Sequence, residues 1–393
     1  MSLTLDKSGW KRVALGDVIR HVTDRVDPAT SGLERFLAGE HIPSNSLHIK
    51  EWGVIGRDPI GPMFYKRFRP GHVLYVSRRS YLRKTAVPEF EGITGEKTFV
   101  LETRDPSILL QEFMPFLLSA EVFHSYAVDN SRGSVNPYIN WTDLANYQFD
   151  LPPVDEQKRL ADLLWAVERH RLSVASQREA LRAVRMRWLS TAIDGLLAEG
   201  TAPFEETWAR SPESGWSTPP VDNATGRYVL SLAALGPDGY RRGQLKNVPD
   251  SPELRSATLA AGDLLVSRAN TVDAVGRAGI FDERREDVSF PDTMMRLRLV
   301  DGIRPKFAEA VLSSPHGRAH MRRTAAGSAT SMVKINRRSL AKLAFPVVSI
   351  DRQEQLLGEL SGFDSGVTSL DSLLVETRAL NSSLLAQIFG GPR

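Results

Sequence analysis

The side chains with the most chemical potential in this sequence are cations gathered at loop-like positions. Arg78, Arg79, Arg83 and Lys84 follow an apolar run, with Tyr81 among them. Arg268 and Asn270 hold the matching place in the second half, where Arg268 follows Ser267 as Arg78 follows Ser77. Arg241, Arg242 and Lys246 form another group, and Lys334, Arg337 and Arg338 a third. Lys97 stands just before a β-rich run, as a surface residue or a phosphate contact. Arginine can pair bidentately with a guanine edge and asparagine with an adenine edge, while lysine and surplus arginine hold phosphates. Any one basic cluster is also ordinary solvated surface. The Ser-Arg pair at the same strand end in both halves is what singles out Arg78 and Arg268. The expected DNA contacts are therefore Arg78, Arg79, Tyr81, Arg83, Lys84, Lys97, Arg241, Arg242, Arg268, Asn270, Lys334 and Arg337.

Other fragments imitate catalytic motifs and fail on spacing. Gly92-Ile93-Thr94-Gly95-Glu96-Lys97-Thr98 ends like a phosphate-binding loop, but its glycines are too close and Glu96 splits the Gly-Lys pair. Asn136-Pro137-Tyr138 is a clipped version of the Asn-Pro-Pro-aromatic motif of amino-methyltransferases, with no glycine-rich cofactor loop upstream. Pro249-Asp250 with Glu253 and Arg255 has its carboxylates too close in sequence for a nuclease site. The eight histidines show no zinc-ligand spacing, and His170 reads as a solvated or packed helix residue. No Ser/His/Asp set can be assembled, so neither an active site, a cofactor nor a metal is expected.

Composition sets the remaining bounds. A chain of 393 residues has room for two or three domains. No apolar run reaches membrane-spanning length, and Met1–Lys7 shows no signal-peptide core. The absence of cysteine excludes disulfides and thiolate metal sites and fits a cytoplasmic location. Fifty basic and 47 acidic residues nearly cancel, so a nucleic-acid surface has to come from local clustering.

The elements that position these side chains repeat. A helix-like segment occurs twice at a constant offset of 196 residues, which pairs Ile139 with Ile335, Asn140 with Asn336, Gln157 with Gln353, Leu160 with Leu356 and Gly195 with Gly391. Each copy has a Pro-containing extended stretch, then Asp and a polar turn with Gln, then a long apolar-periodic run stopping at Gly195 or Gly390-Gly391. Leu356, Leu360, Phe363, Val367, Leu370, Leu374, Thr377, Asn381, Leu384 and Ile388 alternate by four and three as a heptad seam. The first copy follows at Leu160, Leu164, Val167, Val174, Leu181, Trp188 and Ala192, with Arg171, Arg178 and Arg185 interrupting it. Roughly forty helical residues span about 60 Å, so the two stripes most simply bury each other in an antiparallel coiled coil. The alternative is two helices packed separately on their own domains. The domains between are mixed α/β. Val73–Val76 and Thr98–Leu101 are strands, Ser107–Tyr126 is helical, and Phe307–Met321 mirrors that helix. Trp216 stands where Trp10 does, and Gly262–Arg268 mirrors Gly71–Arg78. The predicted division is a domain over 1–152, a long helix over 153–198, a linker over 199–215, a second domain over 216–348 and a second helix over 349–393.

These features together resemble the specificity subunit of type I restriction–modification systems. The likeness is carried by the repeated Ile-Asn…Leu…Phe approach to Asp155-Glu156-Gln157-Lys158-Arg159-Leu160, by Gly71 and Val73–Arg79, and by Gly133–Ile139. The second half departs from it, with Asp351-Arg352-Gln353 in place of the acidic pair and one proline at Ala344–Val347. The resemblance implies two target-recognition domains that each read half of a split double-stranded DNA site, with the helices as a ruler. It implies a non-enzymatic chain that binds no cofactor itself. Its partners would be two methyltransferase subunits, which bind S-adenosylmethionine and methylate adenine, together with restriction subunits. The competing readings are a coiled-coil protein adaptor without DNA specificity, a recognition module serving a single methylating and cleaving polypeptide, and an independent enzyme.

Overall fold

A computed structural model of the chain describes residues 5–329 and 332–390. Gly391 of the repeat and Met1–Thr4 of the N-terminal stretch lie outside the described residues. The fold is mixed α/β and divides into two compact units. One holds the described residues up to Ala175 together with those from Ser372 onward, and the other runs from Ser176 to Asp371.

The first unit is built on two four-stranded sheets. One is fully antiparallel, in the order Ile19–Val22, Thr98–Thr103, Val73–Val76, Thr85–Ala86. Its strand Val73–Val76 is buried along its whole length, as its β-branched and aromatic residues demand of an inner strand. The turn before it requires Gly71 at φ +86°, a region that costs glycine nothing. The other sheet runs Gly53–Val54, Arg35–Leu37, Gly92–Gly95, Phe64–Phe68. The expected helix over Ser107–Tyr126 is instead two short helices, Met114–Leu117 and Glu121–Asp129. Pro115 starts the first, because a proline is tolerated only in the first turn of a helix.

The second unit repeats this scheme. The antiparallel sheet runs Trp208–Ser214, Met294–Leu299, Leu264–Ser267, Ala278–Ile280. Here too the predicted helix is split, into Pro305–Ser313 and Pro315–Thr324, with Ser314 capping the second through the Gly317 amide. The stretch read as a linker, 199–215, carries structure. Strand Thr201–Pro203 pairs with Ala344–Pro346, and Trp208–Ser214 edges the main sheet. Its prolines are compatible with a sheet edge, where a missing N–H costs little. The Trp10/Trp216 equivalence fails for the same reason. Leu15 N donates to Tyr147 O and Phe204 N to Leu343 O, so Leu15 corresponds to Phe204, ahead of Trp216.

Two long helices, Val154–Glu199 and Ile350–Phe389, contribute one segment each to both units. The first runs through Gly195 and stops before Gly200, because Leu196 is still buried in the core. In the first unit Leu160, Leu164 and Val167 share a core with Leu384, Leu385 and Ile388. In the second unit Leu189, Ile193 and Leu196 share one with Leu356 and Leu360. There the helices run in opposite directions, and the seam arginines find carboxylates. Arg178 meets Asp371 at 2.8 Å, and Arg185 meets Asp364 at 2.7 Å.

Both helices are tied to their units by one glutamine. Gln157 Oε1 accepts from Leu110 N at 2.9 Å, and its Nε2 donates to Ile108 O and Pro152 O at 2.8 Å. Gln353 Oε1 accepts from Arg304 N at 2.9 Å, and its Nε2 donates to Gly302 O at 2.9 Å and Val348 O at 3.3 Å. Both side chains are fully buried. Each satisfies one backbone donor and two acceptors that would otherwise be costly to bury.

Candidate nucleic-acid interface

In the first unit the strand Val73–Val76 delivers the chain into a tightly held loop. Ser77 N and Oγ both donate to Lys97 O at 2.8 Å. Arg78 then bridges to Tyr138, and Arg79 takes a left-handed conformation at φ +55°. A 3-10 turn over Ser80–Leu82 follows, and Arg83 is left-handed again at φ +53°. Such conformations cost about 1–2 kcal/mol for a residue with a Cβ, so they persist only where neighbours over-determine them. Here Arg79 N donates to Pro137 O at 2.6 Å and Arg79 Nε to Asn136 Oδ1 at 2.8 Å. The result is that Arg78 and Arg79 are exposed, and Tyr81 is 52% exposed despite its aromatic ring.

Lys97 joins them, its ammonium 4.5 Å from the Tyr138 ring centroid. The carbonyls on either side of it, Glu96 O and Thr98 O, accept from Lys66 Nζ at 2.7 and 3.0 Å. Lys66 is buried, and burial pushes its ammonium down to about 8. The site thus draws on three segments, 77–82, 96–98 and 136–138. Tyr138, Asn136 and Lys66 are the residues that sequence reasoning missed. Only the proximity of Asn136-Pro137-Tyr138 to the repeat hinted at the first two.

Arg83 and Lys84 are not part of this group. Arg83 pairs with Glu121 at 2.6 Å. Lys84 turns inward to donate to Gly39 O, and burial lowers its pKa. A left-handed residue at position 83 redirects the chain, so neighbours in sequence face different ways.

The second unit corrects the register assumed between the halves. Ile139 N donates to Ser77 O, and Ile335 N donates to Arg268 O. Arg268 therefore corresponds to Ser77, and Arg78 corresponds to Ala269, which pairs with Lys334 as Arg78 does with Tyr138. The repeated Ser-Arg is displaced by one residue, and along an extended strand one residue reverses the side-chain face. Arg268 leans toward Asp292 O at 3.5 Å. Asn270 Oδ1 accepts from Thr271 N at 2.9 Å, which leaves its amide nitrogen near Ser267 Oγ at 3.4 Å. Lys334 is exposed in the place of Tyr138. Arg337 opens a short helix capped by Asn336 and approaches Ser214 Oγ at 3.4 Å. Arg241 and Arg242 lie apart from these, beyond the Leu235–Tyr240 hairpin. Arg241 packs over Gly236, and Arg242 is held by Asp282 at 3.1 and 2.9 Å.

The imitation motifs dissolve in the fold. Gly92–Gly95 is a strand between two others, so its amides are not free to cradle a phosphate. Asp250 is occupied by Arg255 and Arg227, and hydrogen bonding to Arg255 holds its carboxyl below the usual range. Among the described residues no cluster of His, Asp and Glu is arranged to hold a metal ion. Among them, too, no helix is long and apolar enough to cross a membrane.

Residues 64–180 match the model of the type I restriction modification DNA specificity domain. That span contains Arg78, Arg79, Tyr81, Lys97, Tyr138 and Gln157. The chain is also 25% identical over 292 residues to the type I restriction enzyme EcoKI specificity subunit of Escherichia coli K12. The chain is a relative of the type I specificity subunits. The EcoKI match covers 67% of this chain and 62% of that protein. A second match, to the Escherichia coli EcoDI specificity subunit, is 24% identical and covers 48% of this chain and 39% of its partner. The chain therefore spans under two thirds of the length of these relatives. Solved structures agree on the fold of a type I relative. The type I restriction–modification S subunit from M. genitalium superposes with a TM-score of 0.55 at 12% identity, covering 100% of this chain and 99% of that one. A chain from a structure of the complex assembly and conformational transition of the type I R-M system gives a TM-score of 0.55 at 18% identity, covering 98% of each.

Proposed function

We propose that the chain is the non-catalytic DNA-specificity subunit of a type I restriction–modification complex and reads a bipartite double-stranded site. One recognition domain is the α/β part of the first unit, up to about residue 152. The other begins at Thr201 and ends near residue 348. The two long helices form an antiparallel coiled coil between them and set the spacing of the half-sites. The observation that carries the reading is the pair of equivalent strand ends at Ser77 and Arg268. Each is fixed to the scaffold by the same backbone bonds, and each presents different polar side chains. Arg78, Arg79, Tyr81 and Lys97 would meet one half-site, and Arg268, Asn270, Lys334 and Arg337 the other. Arg241 and Arg242 would add phosphate contacts, with Arg83 and Lys84 supporting the loop rather than touching DNA. Half-sites one helical turn apart lie about 34–36 Å from centre to centre, so a stiff spacer of tens of ångströms is the part that such a reader needs. The repeated scaffold offers two quasi-equivalent docking faces for two copies of a methyltransferase subunit, and restriction subunits would join that assembly.

The test is co-expression with the methyltransferase encoded beside it, followed by methylome sequencing. Methylated adenines in a two-part motif with a fixed gap are the expected result. A stable complex with no new methylated motif and no salt-dependent DNA binding would leave the adaptor reading in its place.

A further inference from the structure

In the second unit, Arg182 of the first long helix sits between two carboxylates. It reaches Asp238 at 2.7 Å, from a hairpin tip, and Asp371 at 3.4 Å, from the second long helix. The repeat places Arg378 at the equivalent position in the first unit, 196 residues on. There the equivalent of Asp371 is Ala175. The nearby arginine, Arg171, is fully engaged by Glu168 at 2.6 Å and by Ser46 Oγ at 3.1 Å. Arg378 has no ion pair among the described residues, and it lines a cavity of about 880 Å³ between the 40–51 loop, the short helix from Glu121 and the two long helices. That volume is within the usual range for small-molecule sites. The same cavity is lined by Asn381 and His124. Asn381 Oδ1 and His124 Nδ1 are both buried without a hydrogen-bond partner, and His124 is only 4% exposed. Buried polar atoms are rarely left unpaired, and each that is needs an account.

We propose that this cavity binds a small organic carboxylate bearing a hydroxyl or amino group, with its anionic group on Arg378 where Asp238 stands on Arg182. The hydroxyl or amino group then meets Asn381 Oδ1 or His124 Nδ1. The second unit has no need of such a ligand, because its own Asp238 and Asp371 supply the charge. The inference is independent of the DNA reading.

The test is calorimetric titration of the full chain with L-malate and L-glutamate, against inorganic phosphate and sodium chloride at matched ionic strength. Binding of at least one carboxylate in the millimolar range or tighter is expected. Arg378→Gln should weaken it by roughly tenfold or more, the scale of a lost charge-assisted pair. Ala175→Asp, which restores the internal carboxylate, should abolish it, and Arg182→Gln should leave it unchanged. The proposal is overturned if neither carboxylate binds, or if binding survives both Arg378→Gln and Ala175→Asp. It is also overturned if phosphate or chloride binds as well with the same dependence on Arg378, since that is diffuse attraction of anions.

Discussion

The same turn in the two units is closed by opposite charges. In the first, Arg69 N donates to His72 Nδ1 at 3.1 Å, and His72 Nε2 faces Glu102 at 3.4 Å. In the second, Ala260 N donates to Asp263 Oδ2 at 3.0 Å, and Asp263 meets Arg298 and, at 3.1 Å, Arg296. The turn glycines, Gly71 and Gly262, share a positive φ. The backbone bond is therefore retained while the charge partner is inverted. Burial lowers the pKa of His72 against the pull of Glu102, so the first pair leans toward a neutral hydrogen bond. The second is a buried ion pair. What the scaffold demands at this point is an acceptor for one amide, and any short side chain with an oxygen or ring nitrogen supplies it.

This contrast can be broken at several points. The largest effect is expected from Asp263→Asn, which strands two arginines beside a buried site. Breaking a buried pair costs about 3–5 kcal/mol, and the loss should appear in the urea midpoint of the second unit. Next come Gln157→Leu and Gln353→Leu. Each leaves one amide and two carbonyls unpaired, for about 3 kcal/mol. Because the bonds are the same in both units, the two losses should agree within about 1 kcal/mol; unequal losses would mean that the two joints are not equivalent.

Acid should separate the units. Burial, with the Arg83 charge adding to it, pushes His124 down to about 4, below the ordinary value near 6.5. Its stabilising contribution is complete above about pH 6.5 and is lost as pH falls toward 4, on the order of 2–3 kcal/mol. In the second unit burial raises Glu309 while Lys306 opposes it. A raised carboxyl contributes below its unfolded value, and the contribution is lost as pH rises. Hydrogen exchange at pH 7 and pH 5 should show the first unit loosening and the second holding, and His124→Gln should remove most of the difference. The smallest effect is Glu102→Gln. Its partners Arg20 and His72 sit at a partly exposed edge, so under about 1 kcal/mol is expected. A loss as large as that of Asp263→Asn would show that the first unit too depends on a full charge there.

The long helices were legible because their pattern runs without a gap for some fifty residues, and Gln157 and Gln353 fall into register with it. The strand Val73–Val76 was legible from β-branched and aromatic content. The site was only partly so. Arg78, Arg79, Tyr81 and Lys97 do converge, but Arg83 and Lys84 turn away, which depends on a left-handed backbone that sequence does not announce for arginine. The Ser77-Arg78 and Ser267-Arg268 match was a coincidence of composition one residue out of register. Only the hydrogen bonds from Ile139 and Ile335 reveal it. The 199–215 stretch misled because Pro and Gly mark edge strands as well as linkers. Tyr138 could not be found, because its partner Lys97 lies some forty residues away in the chain.

The first unit is assembled from both ends of the sequence. Lys7 Nζ donates to Ile388 O at 2.9 Å, and Phe113 packs against Phe389 at 5.3 Å between ring centroids. The second unit is one continuous stretch from Ser176 to Asp371. On the ribosome, the order of completion is therefore the reverse of the order of synthesis. The later-made unit can close as soon as its last residue emerges. The first must wait, with the faces of Leu160, Leu164 and Val167 uncovered, until the final helical turns are translated. For a chain made at about 5–20 residues per second, that wait from residue 175 to residue 389 lasts on the order of ten seconds or more. During it the apolar stripe is open to chaperones or to a second nascent chain.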